Sequence, residues 1–283
     1  MRRRRVVRVP ASTANLGPGY DVLAAAVSIE LELTVEETGA FSVDADDPDL
    51  PDDRGNLCVR AFEALHPADD LSFTIRSEIP LAAGLGSSGA AIVAGLVAAD
   101  HMYELDAPLL ELATELEGHP DNVAASLLGG FVICSSGGAE RFDPVPGLEA
   151  VLATPHARVP TVEARAAIPP QVPLGDATHN VAHAALLMLG LARGDLDLVG
   201  RGLSDRLHQP HREALYPRSM ELLREARWLG AIGASISGAG PSVLFWCHWE
   251  QTGNLFEQVR AQAPDCDVRR VQFTPAGADV KAL

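Results

Sequence analysis

The segment Gly84-Leu85-Gly86-Ser87-Ser88-Gly89 decides how this chain is interpreted. It lies between a strand-like run that alternates apolar and polar residues (71–76) and an apolar run (90–105) that predicts a buried helix. Small residues let a backbone approach a ligand closely, and the first N–H groups of a helix bind anions, most often phosphate. Ser87 and Ser88 are predicted to cap the helix, and either hydroxyl could also reach a phosphate or its metal ion. The segment therefore favours a phosphate site over a simple turn.

The same segment also satisfies the G-x-G-x-x-G pattern of dinucleotide-binding folds, which makes a nicotinamide-dependent oxidoreductase an alternative. Its context differs from that fold, because residues 77–83 separate the loop from the preceding strand. The acidic residue expected after the next strand is also missing, since Asp100, Glu104 and Asp106 lie on or near predicted helices. The oxidoreductase is therefore the less favoured interpretation.

Composition excludes several other classes of protein. The chain has 283 residues, enough for two domains, and a net charge of −16, which disfavours nucleic acid and anionic membrane surfaces as partners. Of its 22 basic residues only Lys281 is a lysine. A Walker A lysine, a Schiff-base lysine and the strand lysine of protein kinases are therefore absent from the body of the chain.

Cysteine usage and the N-terminal sequence predict a cytoplasmic protein. The four cysteines form no C-x-x-C pair, which is typical of reduced, packed thiols. The arginine run at 2–5 is not followed by an apolar core, so no export signal is predicted. Residues 79–99 carry no formal charge, but a proline and several glycines interrupt them, so no membrane-spanning helix is expected.

Strand and helix patterns alternate along the chain and predict an α+β protein. Residues 6–9 are predicted to form a short strand that stops at Pro10, and 29–35 a half-buried antiparallel strand. Helices are expected over 109–117, 123–128, 178–193 and 217–228, and further strands over 151–154, 234–236, 243–247 and 268–273. The weakest boundary in composition falls between residues 137 and 151, which predicts domains of 1–148 and 149–283.

Three further loops of small and polar residues resemble the first in character. Residues 10–21 hold Asn15 and Asp21 in a glycine and proline frame, residues 117–122 read EGHPDN, and residues 237–242 read SGAGPS. Each alone is more often a turn than a site. Four such loops in one chain together favour binding of a phosphorylated ligand.

Two other chemistries receive little support. His179 and His183 are four residues apart on a predicted helix, but the catalytic glutamate of H-E-x-x-H is missing between them, which favours a surface or packing pair over a metal site. No G-x-S-x-G elbow occurs, which disfavours a Ser-His-Asp hydrolase.

Taken together, these segments resemble the GHMP kinase superfamily, and within it most closely the homoserine kinases. The resemblance is carried by residues 10–21 (PASTANLGPGYD), 80–91 (PLAAGLGSSGAA), 117–124 (EGHPDNVA), 161–165 (TVEAR) and 236–242 (ISGAGPS). It implies a two-domain α+β fold, with a left-handed β-α-β crossover in the N-terminal domain and a ferredoxin-like C-terminal domain. It also implies a homodimer and Mg²⁺-assisted, ATP-dependent phosphorylation of the side-chain hydroxyl of L-homoserine, a step of threonine biosynthesis.

The resemblance also assigns residues to the nucleotide and its metal ion. Mg²⁺ would be held by Ser88 and Glu117, with Glu115 as the alternative if the register differs. The residues implied to contact ATP are Asn56, Leu57, Pro80, Leu81, Ala82, Ala83, Gly84, Leu85, Gly86, Ser87, Ser88, Gly89 and Ala90.

At the other end of the site, the resemblance implies contacts to the amino-acid substrate. Asp21 and Asn15 would hold the amino group, and Arg165 and Arg212 would face the carboxylate. The residues implied to lie around the reacting hydroxyl are Asn122, His119 and Thr161, with Gly238 to Gly240 closing the site.

The lysine content bears on the mechanism. Several superfamily members pair an aspartate base with a lysine near the start of the chain, and that version is excluded here because no lysine precedes Lys281. We therefore expect the hydroxyl to attack without a strong dedicated base, and Asp121 is the residue most able to contradict this. A kinase for another alcohol such as mevalonate and a non-catalytic ligand sensor remain alternatives.

Overall fold

A computed structural model describes residues 3–156 and 161–282, with the side chains of all of these except Thr161 and Ala282. This part of the chain forms one seven-stranded and one four-stranded sheet with helices packed on both. The strands are β1 Arg4–Ala14, β2 Leu23–Glu37, β3 Ser42–Ala45, β4 Leu71–Ser77, β5 Phe131–Ser135, β6 Gly138–Phe142, β7 Leu148–Pro155, β8 Gly233–Ile236, β9 Val243–His248, β10 Cys266–Gln272 and β11 Asp279–Ala282. The α-helices are α1 Leu57–Glu63, α2 Ser87–Tyr103, α3 Leu109–Glu117, α4 Asp121–Leu128, α5 Thr161–Ala166, α6 Leu174–Arg193, α7 Leu196–Gly202, α8 Pro217–Glu225 and α9 Thr252–Gln262, with short 3-10 helices at Pro210–Arg212 and Trp249–Gln251.

The first sheet packs against the helix predicted after the glycine-rich segment. Its strands run β11-β1-β2-β4-β3, with β5 pairing to β2 and β6 to β5. Helix α2 packs against β1, β2, α1, α3 and α4, which is why its sequence is apolar on nearly every face. Strands β3 and β4 pair in parallel with α1 between them, forming a β-α-β unit. The left hand expected for this crossover stays a prediction.

The second sheet has the strand order of a ferredoxin-like domain. It runs β10-β7-β9-β8 with every neighbouring pair antiparallel. Helices α5 to α8 lie between β7 and β8 along the chain, and α9 lies between β9 and β10. The first of the four strands is thus flanked by the fourth and the third, as in the split β-α-β arrangement. The α+β fold and the ferredoxin-like domain are therefore confirmed.

An aromatic cluster joins the two sheets. The ring of Phe131 on β5 lies 6.1 Å from that of Trp246 on β9, and Phe273 lies 4.9 Å from both. Strand β11 then returns to the first sheet, where it pairs antiparallel with β1 from Arg5 to Arg8. The predicted boundary at 148/149 stays a prediction, with β7 beginning at Leu148.

Two local predictions are wrong. The first strand does not stop at Pro10 but continues to Ala14. A bulge between Pro10 and Ala11 accommodates the proline in the pairing with β2, and β11 pairs with β1 only as far as Arg8. A proline is tolerated at such a place, because the pairing with β2 is irregular at the bulge and the pairing with β11 has ended at Arg8. Neither Ser87 nor Ser88 caps α2, because Gly86 occupies the N-cap position in a left-handed conformation with φ 66°.

Most other elements are found near their predicted places, and several were missed. Helix α3 has the predicted bounds, whereas α6 begins four residues earlier than expected and α8 ends at Glu225. The elements not predicted are β3, β5, β6, β11, α1, α5 and α7. Within residues 3–156 and 161–282, no helix combines the length and the apolar character that a membrane crossing requires.

Candidate active site

A single cavity of about 480 Å³ brings together the glycine-rich loop 84–89 and the three loops of small and polar residues at 10–21, 117–122 and 237–242. Among the predicted site residues, those that line it are Asn15, Asp21, Asn56, Leu57, Pro80, Leu81, Ala82, Ala83, Gly84, Leu85, Gly86, Ser87, Ser88, Glu117, His119, Asn122, Arg165, Arg212 and Gly238. Gly89 and Ala90 are instead buried in α2, and the side chain of Thr161 lies outside the described residues.

The glycine-rich loop is held between two other loops. Gly84 and Gly86 have left-handed φ angles of 78° and 66°, which glycine adopts without strain. The Ser237 hydroxyl donates to the carbonyl of Gly84 (2.7 Å), and the N–H of Ser12 donates to the carbonyl of Leu85 (3.1 Å). These bonds present the first turn of α2 to the cavity, where its N–H groups and positive dipole end favour an anion.

A chain of acidic, hydroxyl and imidazole groups lies beside that helix start. The Ser88 hydroxyl donates to Glu117 Oε1 at 2.6 Å, and His119 Nε2 lies 3.8 Å from the same oxygen. His119 Nδ1 lies 2.9 Å from Asp121 Oδ1. Glu115, the alternative to Glu117, is exposed on α3, so the structure brings Glu117 and not Glu115 to the cavity.

Burial and neighbouring charges shift the pKa values of Glu117 and His119. Burial raises the pKa of Glu117, and the hydrogen bond from Ser88 and the charge of His119 oppose this only in part. Burial lowers the pKa of His119, but the hydrogen bond and charge of Asp121 outweigh it, so the net shift is upward. A nearby cation would stabilise the charged form of the Glu117 carboxylate, which burial destabilises.

The protein oxygens near the start of α2 fit Mg²⁺ only if the phosphates of a substrate supply further ligands. Among the described residues, no group of three or more His, Cys, Asp or Glu side chains is placed to hold a metal ion by itself. Ser88 and Glu117 supply a hydroxyl and a carboxylate at the start of α2. Mg²⁺ is commonly bound in this way, by one or two protein oxygens together with the phosphates of a substrate.

Asn122 lies where the glycine-rich loop meets the first loop. Its Oδ1 accepts a hydrogen bond from Ser12 Oγ at 2.9 Å. A Cβ atom on Gly86 would lie 2.9 Å from the same Oδ1, so Asn122 contacts the loop backbone closely. The amide is therefore fixed beside the predicted phosphate position.

Opposite charges meet at the far end of the cavity. Arg165 binds both carboxylate oxygens of Asp21 (2.8 and 3.0 Å) and donates to the hydroxyl of Tyr20 (3.1 Å). Asn15 uses both ends of its amide locally: Nδ2 donates to Gly238 O (2.7 Å), and Oδ1 accepts from the N–H of Asp21 (3.0 Å). Asp21 and Arg165 therefore pair with each other, whereas the resemblance assigned them to opposite ends of a substrate.

The other end of the cavity is mostly apolar. Its walls include Leu31, Leu50 and Ile75, a lining that suits a flat ring. The Asn56 side chain is occupied by local structure, because Oδ1 accepts from Cys58 N as the cap of α1 and Nδ2 donates to Pro51 O. Asn56 therefore shapes this wall through the loop that it holds.

Three residues of the site or its support were not predicted: Tyr20 lines the cavity, Ser12 donates to Asn122, and His208 contacts Arg212. Tyr20 and Ser12 both lie within residues 10–21, so the motif was found but their contacts were not. His179 and His183, predicted as a surface or packing pair, stack on α6 with ring centroids 3.7 Å apart, and His179 Nε2 lies 3.0 Å from Ser204 Oγ.

Comparison with known proteins identifies the family. The model of the GHMP kinase N-terminal domain matches residues 56–130, and that of the GHMP kinase C-terminal domain matches residues 187–265. The homoserine kinase of Moorella thermoacetica is 39% identical over 261 residues, covering 87% of this chain and 88% of the relative. That of Synechococcus sp. strain WH7803 is 41% identical, covering 91% and 88%.

Solved structures agree with these relatives. The homoserine kinase from Cytophaga hutchinsonii has a TM-score of 0.86 at 30% identity and covers 98% of this chain, with 97% of its own chain matched. A mevalonate kinase has a TM-score of 0.74 at 13% identity, with 95% and 99% covered, which shows a shared fold.

Proposed function

Because the chain belongs to the GHMP kinases and, within them, to the homoserine kinases, we propose that its cavity binds ATP and L-homoserine together and makes O-phospho-L-homoserine. One observation carries the proposal. A single cavity joins a phosphate loop at the start of α2 to a cluster of one carboxylate and two guanidinium groups. An α-amino acid carries both an ammonium and a carboxylate and needs partners of both signs. Mevalonate lacks the ammonium, so Asp21 favours the amino acid.

At the phosphate end, the backbone of residues 84–89 and the first turn of α2 hold the ATP phosphates. Ser88 and Glu117 hold Mg²⁺, which neutralises charge on the phosphate oxygens when it is bound. The short hydrogen bond between them and the raised pKa of Glu117 support this role, because a cation stabilises a carboxylate that burial has destabilised.

At the substrate end, Asp21 binds the ammonium and Arg212 with Arg165 binds the carboxylate. The place of Asp21 and Arg165 at the cavity wall supports this. They pair with each other in this structure, and a substrate that carries an ammonium and a carboxylate would exchange that pair for its own two charges. Asn15 supports Asp21 through its bond to the Asp21 N–H and fixes Gly238. The contact expected from Thr161 remains part of this proposal.

The transfer itself depends on positioning more than on proton abstraction. Asn122 directs the substrate hydroxyl toward the phosphate, with His119 beside it. Asp121 is 1% exposed, and its Oδ1 accepts bonds from the His119 ring and the Asn122 N–H, so it serves to hold these two residues. This supports attack without a dedicated base, as phosphoryl transfer permits.

A coupled assay of ADP release tests the function. We expect L-homoserine to stimulate ADP release, and mevalonate, L-serine and L-threonine to do so far less. Release no faster than the ATPase rate without an acceptor would refute the proposal. Titration of NAD(P)H fluorescence tests the oxidoreductase alternative, and ATP binding without any turnover would support a sensor.

A matched pair of variants tests the metal assignment. Glu117→Gln should lose most of kcat and the Mg²⁺ dependence of ATP binding, because the buried carboxylate is removed. Glu115→Gln changes an exposed carboxylate two residues away and should leave both unchanged. Equal effects of the two substitutions would contradict the assignment.

The proposal extends to assembly and location. We propose a cytoplasmic homodimer that binds no nucleic acid. The charge of −16 disfavours nucleic acid, and the four free cysteines, three of them buried, fit the reducing cytoplasm. Leu174 and Val181, seven positions apart on α6 and 82% and 71% exposed, support a helix face that a second copy covers. Light scattering after size exclusion tests the dimer, since a mass of 29.9 kDa would mean a monomer.

A further inference from the structure

A buried histidine connects Arg212 to the substrate loop. His208 is completely buried, and its Nδ1 lies 3.0 Å from Arg212 Nη1. Its Nε2 lies 2.7 Å from the carbonyl oxygen of Gly17, in the loop that carries Asp21. One imidazole ring therefore contacts both Arg212, the proposed partner of the substrate carboxylate, and the loop that carries Asp21, the proposed partner of the ammonium.

The partners determine which nitrogen carries the proton. The Gly17 carbonyl can only accept, so Nε2 must donate, and a guanidinium can only donate, so Nδ1 must be free to accept. His208 is therefore a neutral imidazole with its proton on Nε2. Burial, with a smaller contribution from the charge of Arg212, lowers its pKa to about 4 against the opposing charge of Asp205.

A neutral acceptor suits this place. Arg212 is 1% exposed, and two further bonds fix its guanidinium, from Nε to Ala164 O (2.9 Å) and from Nη1 to Gly238 O (3.1 Å). Both of these acceptors are backbone atoms. A carboxylate in place of the imidazole would orient Arg212 but would also neutralise it, and so weaken its attraction for a substrate carboxylate. Imidazole fixes the direction and leaves the charge available.

The backbone around His208 is itself held firmly. Asp205 accepts from the N–H groups of His208 (3.1 Å) and Gln209 (2.7 Å), and from Asn180 Nδ2 (2.7 Å). The same Asn180 nitrogen donates to Pro18 O (3.0 Å), beside Gly17. Asp205 Oδ2 also lies 3.5 Å from His208 Nε2, so this carboxylate faces the ring as well as closing the turn. The turn places the ring independently of the two hydrogen bonds to Gly17 and Arg212.

We propose that His208 is a positioning residue for the amino-acid substrate: it orients the Arg212 guanidinium toward the substrate carboxylate, at a fixed place relative to Asp21. This inference rests on the proposed function. It implies that His208 acts on binding of L-homoserine and not on binding of ATP, because its two contacts lie at the charged end of the cavity and not at the glycine-rich loop.

Two substitutions separate the contacts of the ring. Gln places its amide end near the position of Nε2, so His208→Gln keeps the bond to Gly17 and loses the acceptor for Arg212. Asn ends near Nδ1, so His208→Asn keeps that acceptor and loses the bond to Gly17. His211→Gln, at an exposed histidine in the same turn, is the control.

We expect His208→Gln to raise KM for L-homoserine about 10-fold, equivalent to about 1.4 kcal/mol, while KM for ATP is unchanged and kcat falls less than threefold. His208→Asn should raise KM for L-homoserine clearly less than Gln does. His208→Gln added to Arg212→Gln should raise KM no further than Arg212→Gln alone.

Several results would overturn the inference. One is an equal rise in KM for L-homoserine in His208→Gln and His208→Asn. Another is a parallel rise in KM for ATP, and a third is a further rise in KM for L-homoserine when His208→Gln is added to Arg212→Gln. If His208→Gln does not fold, as judged by thermal unfolding, His208→Asn decides, and a rise of 10-fold or more in that variant refutes the role. If the wild-type protein shows no homoserine-dependent ADP release, the proposed function fails and this inference with it; normal wild-type turnover with an unchanged His208→Gln refutes only the inference.

Discussion

Adding one methyl group to Gly84 tests whether the glycine-rich loop depends on its close contact with the loop at 237–241. A Cβ atom on Gly84 would clash with the carbonyl oxygen of Ser237 and would lie 2.9 Å from both the nitrogen and the carbonyl oxygen of Gly240. All three are backbone atoms, so no side chain can turn away to make room. Gly84 also has a left-handed φ of 78°.

Gly39 provides a matched control for the backbone conformation. Its φ is 84°, and a Cβ atom there would meet nothing within 4 Å. Both Gly→Ala substitutions therefore share the left-handed penalty of about 1–2 kcal/mol, partly offset by about 0.4–1 kcal/mol through the unfolded state. Only Gly84→Ala adds overpacking, about 1–3 kcal/mol. The two variants should thus differ by about 1–3 kcal/mol in the free energy of unfolding.

Urea unfolding and steady-state kinetics measure the two effects. We expect Gly39→Ala to keep wild-type activity and Gly84→Ala to lose roughly 100-fold in kcat/KM for ATP, because a shift of about 1 Å in the loop misplaces the phosphates. Equal unfolding free energies for the two variants would refute the packing argument. A normal KM for ATP in a destabilised Gly84→Ala would refute the loop's role in binding the nucleotide.

Three further outcomes follow from the site. Asp21→Asn should raise KM for L-homoserine roughly 10- to 100-fold with KM for ATP unchanged, because the partly buried charge partner of the substrate ammonium is lost; an effect on ATP alone would contradict this. Asn122→Ala should reduce kcat more than Asp121→Asn does, whereas loss of most of kcat only in Asp121→Asn, with KM unchanged, would show that a base is required. The pKa of His208 is lowered to about 4 in the folded protein, below its unfolded value of about 6.5, so the unfolded state binds the extra proton between these values. Stability should therefore fall as the pH drops from about 6.5 to about 4, and urea midpoints of His208→Gln should fall less over this range; identical slopes would count against a buried neutral imidazole.

Local patterns predicted the parts of the site that lie on continuous segments. The glycine-rich loop, Asp21, Glu117 and Asn122 all belong to short motifs whose composition indicates a binding loop. Their arrival at one cavity depends on the fold, since loops 10–21 and 237–242 each join two strands, 84–89 leads into α2, and 117–122 joins α3 to α4. The role of Arg212 was predicted only from the resemblance to a family, because no local sequence pattern distinguishes it from the other arginines.

The remaining features depend on contacts that sequence spacing does not encode. His208 and Gly17 are 191 residues apart and meet only in the folded protein. The left-handed Gly86 took the capping position that a propensity rule assigned to Ser87 or Ser88. Strand β11 has only four residues, too few to show a clear alternation of apolar and polar side chains. It is recognised as a strand only through its pairing with β1.

The return of β11 to the first sheet has a consequence for how ligands bind. The chain crosses between the two sheets once before β7 and again before β11, and the aromatic cluster of Phe131, Trp246 and Phe273 joins them between these crossings. Rotation of one sheet against the other would have to bend the chain at both crossings and separate the rings of this cluster. The two crossings and the aromatic cluster therefore favour a cleft whose frame is assembled before ligands arrive, at a lower cost of ordering on binding.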